Sequence, residues 1–365
     1  MIQICKKCNL TWYYPVDTCI YCRAKTETLN PTVYTVRGIT EVFTPSPDHS
    51  IVPYYNLLIE DEFGNFYIRK AFQNYELGDK ISEIRKEIRI KKVGVIGTGV
   101  TGTGIAQVLV QAGCEVILKS RAEEKLDKAF EKIGTNLLKT MNVEEKDKLL
   151  FNIKPTLKLD DLNTTDIVIE AVIEDIEIKK RLFEELDKIC PKKTILATNT
   201  SSLSIDEIAK VTSNPNRVIG MHFFNPVPKM HLVEIIAGEK TSQETIEFVR
   251  DFAKHLLKVP VTMKDCPGFI VNRILMPYLN EAVYVLSEGI ASPCDIDTAA
   301  RLGLNHPMGP LALLDLIGLD VFLSIMNSLY RATGNSKHLP CPLVEKMIQE
   351  GKIGRKSKEG FYKYS

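Results

Sequence analysis

The sequence predicts an α/β protein built on a Rossmann-type domain, with a small β-rich segment ahead of it. Two observations carry that expectation. A glycine-rich turn, Gly97-Thr98-Gly99-Val100-Thr101-Gly102, stands between an apolar run and a helical one. At the N-terminus two close cysteine pairs, Cys5/Cys8 and Cys19/Cys22, precede short strand-like runs broken by Gly and Pro.

Lys92-Val93-Gly94-Val95-Ile96 is the kind of short apolar run that forms a parallel strand buried on both faces. The glycine-rich turn follows at once, and Gly104-Ile105-Ala106-Gln107-Val108-Leu109 opens a helix. In such a turn Gly97 permits the tight bend, Gly99 lets backbone approach a pyrophosphate, and Gly102 lets helix and strand pack closely. The helix N-terminus then faces the anion. A second strand, Cys114-Glu115-Val116-Ile117-Leu118, completes the βαβ unit that gives the motif its meaning. Runs at Ile167-Val168-Ile169, Thr194-Ile195-Leu196-Ala197 and Arg217-Val218-Ile219-Gly220 read as further buried strands, and Lys125 through Leu150 has helical periodicity.

An NAD site usually offers the adenosine ribose a carboxylate at the end of the second strand. Here that strand runs into Lys119-Ser120-Arg121. A carboxylate repels a 2′-phosphate, whereas the Ser120 hydroxyl and the planar Arg121 guanidinium bind one. The turn therefore predicts NADP in preference to NAD; the other reading is a solvated basic turn with ordinary NAD binding.

Cys5-x2-Cys8 and Cys19-x2-Cys22 are two knuckles with a ten-residue gap between them. Two such pairs close a tetrahedron of thiolates around Zn²⁺, and four protein ligands make the ion structural and closed to water. Val33-Tyr34-Thr35-Val36 and Glu41-Val42-Phe43 flank Gly38, and Leu57–Glu60 and Phe66–Arg69 flank a turn at Glu62-Phe63-Gly64-Asn65. These short strands predict a small barrel. Ribbon and barrel together suit nucleic acid as well, but Glu60, Asp61, Glu62 and Glu76 are mixed with the basic residues there.

The chain has 365 residues, enough for two or three domains, with 44% hydrophobic and 25% charged residues. A net charge of +1 implies no global attraction to nucleic acid or membrane. No apolar run is long enough to span a bilayer, and the N-terminus has no signal-peptide core, so the expected location is the cytoplasm. Cys114, Cys190, Cys266, Cys294 and Cys341 are scattered singly, as free thiols of a reducing compartment are.

Several motifs recur in order after the glycine-rich turn: Asn199-Thr200-Ser201-Ser202-Leu203, His222-Phe223-Phe224-Asn225-Pro226-Val227-Pro228, Pro267-Gly268-Phe269-Ile270-Val271-Asn272-Arg273 and Gly360-Phe361-Tyr362. With Gly97–Ala106 they resemble the 3-hydroxyacyl-CoA dehydrogenase family, especially its short-chain bacterial 3-hydroxybutyryl-CoA type. The resemblance runs from residue 92 to the end. It implies a Rossmann-type domain (92–270) with a helical hairpin near residues 123–150, then an all-α C-terminal domain (271–365). The N-terminal part resembles the zinc-ribbon-plus-OB modules that accompany thiolases and related acyl-CoA enzymes. That gives a ribbon at 1–30, an OB-like barrel at 31–80 and a connector at 81–91. Such modules imply acyl-CoA binding or the scaffolding of a thiolase-like partner.

Oxidising a secondary alcohol needs a base that is neutral near pH 7, and His is the natural choice. By residue type His222 and His231 are both eligible; His222 ends a predicted strand, beside the crevice where such sheets bind ligands. The resemblance assigns His222 as the base and Glu234 as its carboxylate partner. It implies that Ser201 bonds the substrate oxygen and lines the nicotinamide site, and that Asn272 holds the substrate's polar groups. Glu174, Lys179, Asn225 and Lys356 match positions that contact cofactor in the family. The implied reaction interconverts (S)-3-hydroxyacyl-CoA and 3-ketoacyl-CoA. Two other readings stand beside it: a dehydrogenase of a free hydroxy acid such as carnitine or a sugar acid, and a scaffold whose N-terminal module recruits a partner. A homodimer, formed through the helical domain, is also implied by the resemblance.

Overall fold

The computed structural model describes residues 92–364 throughout and, ahead of them, the stretches 2–5, 10–12, 27–29, 34–42, 54–61, 66–71 and 76–81. The chain divides into two compact units, Met1–Arg89 and Ile90–Ser365.

In the first unit β1 (Ile2–Cys5) lies between β2 (Leu10–Trp12) and β3 (Glu27–Leu29), antiparallel to both. A separate antiparallel sheet holds β4 (Tyr34–Val42), β5 (Tyr54–Asp61), β6 (Phe66–Ala71) and β7 (Lys80–Ile81) in the order β6-β5-β4-β7. The hairpin expected around residues 62–65 is present, with Ile59 opposite Tyr67 and Glu60 opposite Phe66. Gly38 does not separate two strands as expected. β4 runs through it, and the register shifts between Val36 and Gly38. The extra residue is Arg37, which has no partner in the register; Gly38 stays opposite Leu58, so the bulge passes without ending the strand. Leu57 and Ile59 are buried while Leu58 between them is exposed, the period-two pattern of a one-faced sheet. Among the described residues no strand joins β6 to β7, so the closure that a barrel needs is not among them. Cys8, Cys19 and Cys22, the side chain of Cys5 and connector residues 82–91 lie outside the described residues.

The second unit opens with β8 (Lys92–Ile96), whose Val93, Gly94, Val95 and Ile96 are all buried. Apolar groups on both faces place it centrally, and it pairs in parallel with β9 (Glu115–Lys119) on one side and β11 (Ile167–Glu170) on the other. The eight-stranded order is β10-β9-β8-β11-β12-β13-β14-β15, with β10 (Ile153–Thr156), β12 (Ile195–Thr198), β13 (Val218–Phe223), β14 (Leu232–Ala237) and β15 (Val259–Lys264). β13 and β14 pair antiparallel; every other neighbouring pair is parallel. The chain reverses its winding direction at β8, and the crevice opened there is where such sheets receive ligands.

Helices α1 (Val100–Gln111), α4 (Ile176–Ile189), α5 (Ile205–Ala209) and α6 (Gln243–His255) link the strands. The expected hairpin is α2 (Glu123–Leu137) and α3 (Val143–Phe151); a capping box of Asn142 and Glu145 starts the second. Phe183 and Leu186 of α4 pack with Val168, Leu196 and Val218 in one core. The C-terminal region is helical: α7 (Val271–Ser287), α8 (Pro293–Gly303), α9 (Pro310–Ile317), α10 (Leu319–Thr333) and α11 (Pro342–Gln349). Met276, Leu279, Leu311, Leu314, Phe322, Met326 and Val344 form its separate core. Each large apolar side chain so buried contributes roughly 1.5–3 kcal/mol relative to exposure. Among the described residues no single helix is long and apolar enough to cross a membrane.

Candidate active site

His222 and Glu234 are direct register partners on β13 and β14. Opposite residues of an antiparallel pair project to one face. His222 Nδ1 lies 2.7 Å from Glu234 Oε2, and both residues are buried. The carboxylate accepts, so Nδ1 carries the proton and Nε2 is the nitrogen left for a ligand. The other oxygen, Oε1, accepts the N–H groups of Ile270 (3.1 Å) and Val271 (2.9 Å) at the start of α7. A negative charge is favoured at a helix N-terminus. Glu234 therefore orients the imidazole and anchors the helical region to the sheet with one carboxylate. The imidazole also packs against the rings of Phe224 and Phe269, with centroids 4.5 and 5.7 Å away. His231 lies just outside β14, and its carbonyl accepts the Val259 N–H; the partner of Glu234 is His222.

Asn272, on the first turn of α7, donates from Nδ2 to the Ser201 carbonyl at 3.3 Å. Residues 71 positions apart are thus brought together beside the His222–Glu234 pair. Ser201 lies in the loop after β12, and its hydroxyl donates to Glu174 Oε1 at 3.0 Å. The same oxygen accepts from Thr200 Oγ1 (2.7 Å), Ser201 N–H (2.8 Å) and Ser202 N–H (3.2 Å). Burial pushes the Glu174 carboxyl up, but the Lys179 ammonium and these donors outweigh it and hold the carboxyl below its ordinary range.

Lys179 is fully covered and paired with Glu170 at 2.7 Å, and it meets Glu174 at 3.5 Å. The resemblance implies that it contacts cofactor; the structure instead places its charge behind Glu174, so it reaches the cleft through that residue. Glu170, unexposed at the end of β11, also accepts from Thr198 Oγ1 (2.6 Å) and Val172 N–H (2.6 Å). A buried ion pair needs such added bonds to offset desolvation. Sequence reasoning does not single out Glu170. Its one signal is a carboxylate closing the apolar run Ile167-Val168-Ile169.

The glycine-rich turn has the steric form a dinucleotide needs. A β-carbon on Gly102 would stand 2.1 Å from the Gly97 carbonyl oxygen, so the close helix–strand approach requires glycine. At Gly99 a β-carbon would meet nothing within 4 Å; the turn faces open space beside the start of α1, whose first-turn N–H groups suit an anion. Asn225 Nδ2 donates to Thr101 Oγ1 (2.9 Å) in that first turn. Ser120 is buried, with its hydroxyl 3.0 Å from that of Thr98, which leaves Arg121 as the exposed polar group of the basic turn. Lys356 lies in the C-terminal region and pairs with Asp320. The structure thus gathers the expected residues around His222 and the glycine-rich turn, with Arg121 and Lys356 standing outside the hydrogen-bonded set.

The chain matches "3-hydroxyacyl-CoA dehydrogenase, NAD binding domain" over residues 92–266 and "3-hydroxyacyl-CoA dehydrogenase, C-terminal domain" over residues 268–364. It is 50% identical over 279 residues to a 3-hydroxybutyryl-CoA dehydrogenase of Clostridioides difficile, covering 75% of this chain and 99% of that one. It is 42% identical to the mitochondrial hydroxyacyl-coenzyme A dehydrogenase of Homo sapiens, covering 82% and 99%. Among solved structures, the (S)-3-hydroxybutyryl-CoA dehydrogenase of Ralstonia eutropha aligns at a TM-score of 0.74 and 44% identity, covering 76% of this chain and 99% of that one.

Proposed function

The chain belongs to the 3-hydroxyacyl-CoA dehydrogenase family, and on that premise we propose that it interconverts short-chain (S)-3-hydroxyacyl-CoA and 3-ketoacyl-CoA, with His222 as the general acid–base. The observation that carries this reading is the 2.7 Å contact from Glu234 to His222 Nδ1, which leaves Nε2 to exchange a proton with the substrate oxygen. In oxidation Nε2 takes the hydroxyl proton as the C3–H bond breaks; in reduction the imidazolium returns it to the ketone oxygen. A nicotinamide dinucleotide held at Gly97, Gly99 and Gly102 would supply the hydride chemistry. Glu234 stabilises the imidazolium and keeps the tautomer in register. Ser201 and Asn272 hold the substrate's oxygen atoms. Gly97, Gly99 and Gly102 accommodate the pyrophosphate, with Glu174, Asn225 and Lys356 on the rest of the cofactor.

The assay that tests this is reduction of acetoacetyl-CoA, followed as loss of reduced nicotinamide, against free acetoacetate. Turnover of the thioester alone supports the reading. Turnover of acetoacetate alone assigns the chain to free hydroxy acids, and turnover of neither overturns both.

Two finer points belong to the same reading. The cofactor is NADP in preference to NAD, supported by an exposed Arg121 and no carboxylate at 119–121. The N-terminal unit is an accessory module with a structural Zn²⁺ on Cys5, Cys8, Cys19 and Cys22, serving acyl-CoA capture or a thiolase-like partner. It lies outside the family match. Metal analysis of the purified full chain tests the zinc; a protein free of zinc removes it. The helical region serves homodimer formation, tested by sedimentation.

A further inference from the structure

Lys258 carries a buried amine that the proposed reaction does not use. It stands between α6 and β15, is 7% exposed, and donates from Nζ to the carbonyls of Val227 (2.6 Å) and Met230 (2.8 Å). Burial pushes the amine down to about 8. Such a group is costly to keep unless its bonds matter. A neutral amine still has two N–H donors, so both carbonyls remain satisfied whichever form is present.

What Lys258 ties down is the turn after His222. The Pro226 carbonyl accepts the N–H groups of Lys229 (2.9 Å) and Met230 (3.0 Å) and closes that turn. Val227 packs on α1 where a β-carbon on Gly104 would come within 2.9 Å of the Val227 β-carbon. One residue before the turn, Asn225 donates to Thr101 in the first turn of α1, and the Phe224 ring lies on His222. A single short segment thus touches the glycine-rich turn and the imidazole, and Lys258 holds its far side.

We propose that Lys258 is a positioning residue for the cofactor: by binding the Val227 and Met230 carbonyls it sets Asn225 against Thr101 and shapes the mouth of the glycine-rich turn. This rests on the reading that the turn binds a nicotinamide dinucleotide. Losing the anchor changes cofactor affinity, while the His222–Glu234 hydrogen bond is made between β13 and β14 and not by the turn.

The test is fluorescence titration of NADH and NADPH with the full chain as wild type, Asn225→Ala, Lys258→Met and the double variant. Each single change weakens binding of the better cofactor about tenfold, the worth of one hydrogen-bonded anchor. The double variant is no weaker than the weaker single, because both act through one segment. With acetoacetyl-CoA, Lys258→Met raises KM for the cofactor by a larger factor than it lowers kcat at saturation. Wild-type binding in Lys258→Met, or additive losses in the double variant, overturns the proposal alone. A wild-type chain that binds neither nucleotide overturns the underlying reading and this proposal with it. If Lys258→Met does not fold, Lys258→Arg decides: its larger head displaces the turn, so weaker cofactor binding with a smaller loss of kcat is expected, and wild-type affinity overturns the proposal.

Discussion

A β-carbon on Gly360 would stand 1.9 Å from Oδ1 of Asp315. Asp315 is 1% exposed, and its carboxylate accepts the N–H groups of Phe361 (2.9 Å) and Tyr362 (3.0 Å) and the hydroxyl of Tyr364 (2.9 Å). The Tyr362 hydroxyl donates onward to Asp297, whose two oxygens take the Leu311 and Ala312 N–H groups at the start of α9. The Gly360-Phe361-Tyr362 motif is therefore a strap closed over α9, and it lies a few residues beyond Lys356. Gly360→Ala forces the carboxylate aside and should cost about 1–3 kcal/mol, as overpacking does. Differential scanning of the two proteins checks this; an unchanged melting temperature would show that the strap yields freely.

His222→Gln removes the acid–base group and should lower kcat by roughly 10²–10⁴-fold while cofactor still binds. Glu234→Gln tests the orientation more sharply. Glu234 uses one oxygen for His222 and the other for Ile270 and Val271 N–H groups. An amide has one acceptor and one donor, so it faces either an N–H with an N–H or His222 with the wrong tautomer. A loss of kcat of roughly 10²-fold or more, with substrate KM nearly held, is expected in steady-state kinetics. Wild-type kcat in Glu234→Gln would detach the pair from catalysis.

Burial pushes the thiols of Cys114 and Cys190 up to about 11, with Asp166 and Asp187 respectively adding to the effect and Arg217 opposing it at Cys190. In the folded state both thiols hold their protons above the ordinary thiol value of 9.0. Their contribution to stability is then present below pH 9.0 and is lost as pH rises through about 11. Lys258 acts the opposite way: its folded value is depressed, so its contribution grows as pH rises from about 8 toward 10.5. A Cys114→Ala, Cys190→Ala double variant should thus lose less stability than wild type between pH 9 and 11 in chemical denaturation. Iodoacetamide at pH 8 should label exposed Cys294 ahead of both, read by peptide mass mapping; equal labelling rates would contradict the burial argument.

For the cofactor, Arg121→Ala should erase most of a preference for NADPH over NADH, about tenfold in kcat/KM for one charge-assisted contact. Ser120→Asp should reverse it, since a carboxylate repels the added phosphate and accepts from ribose hydroxyls. Equal kcat/KM values for the two nucleotides in the wild type would make the basic turn mere surface.

The α2–α3 hairpin is what the resemblance implies; local pattern alone is enough for β8, β9, β11, β12 and β13, for the helical character of residues 125–150 and for the glycine-rich turn. Their signals are periodicity and residues with backbone demands: an apolar run such as Val93–Ile96 must be buried on both faces, and Gly102 must pack against Gly97. His222, Glu234, Ser201 and Asn272 are named by the resemblance that the order of motifs carries. Their arrangement is decided only by tertiary structure. Residues 201 and 272 meet because α7 is pulled onto Glu234, and no spacing in the chain encodes that docking. The resemblance implies that Lys179 contacts cofactor, and pattern reading breaks β4 at Gly38. A charge on a helix gives no sign of which side will be covered, and a glycine does not show whether a strand ends until its neighbour strand is in place. Lys258 shows the same limit. In the chain it is one lysine among 47 basic residues, and only burial against two loop carbonyls makes it distinct.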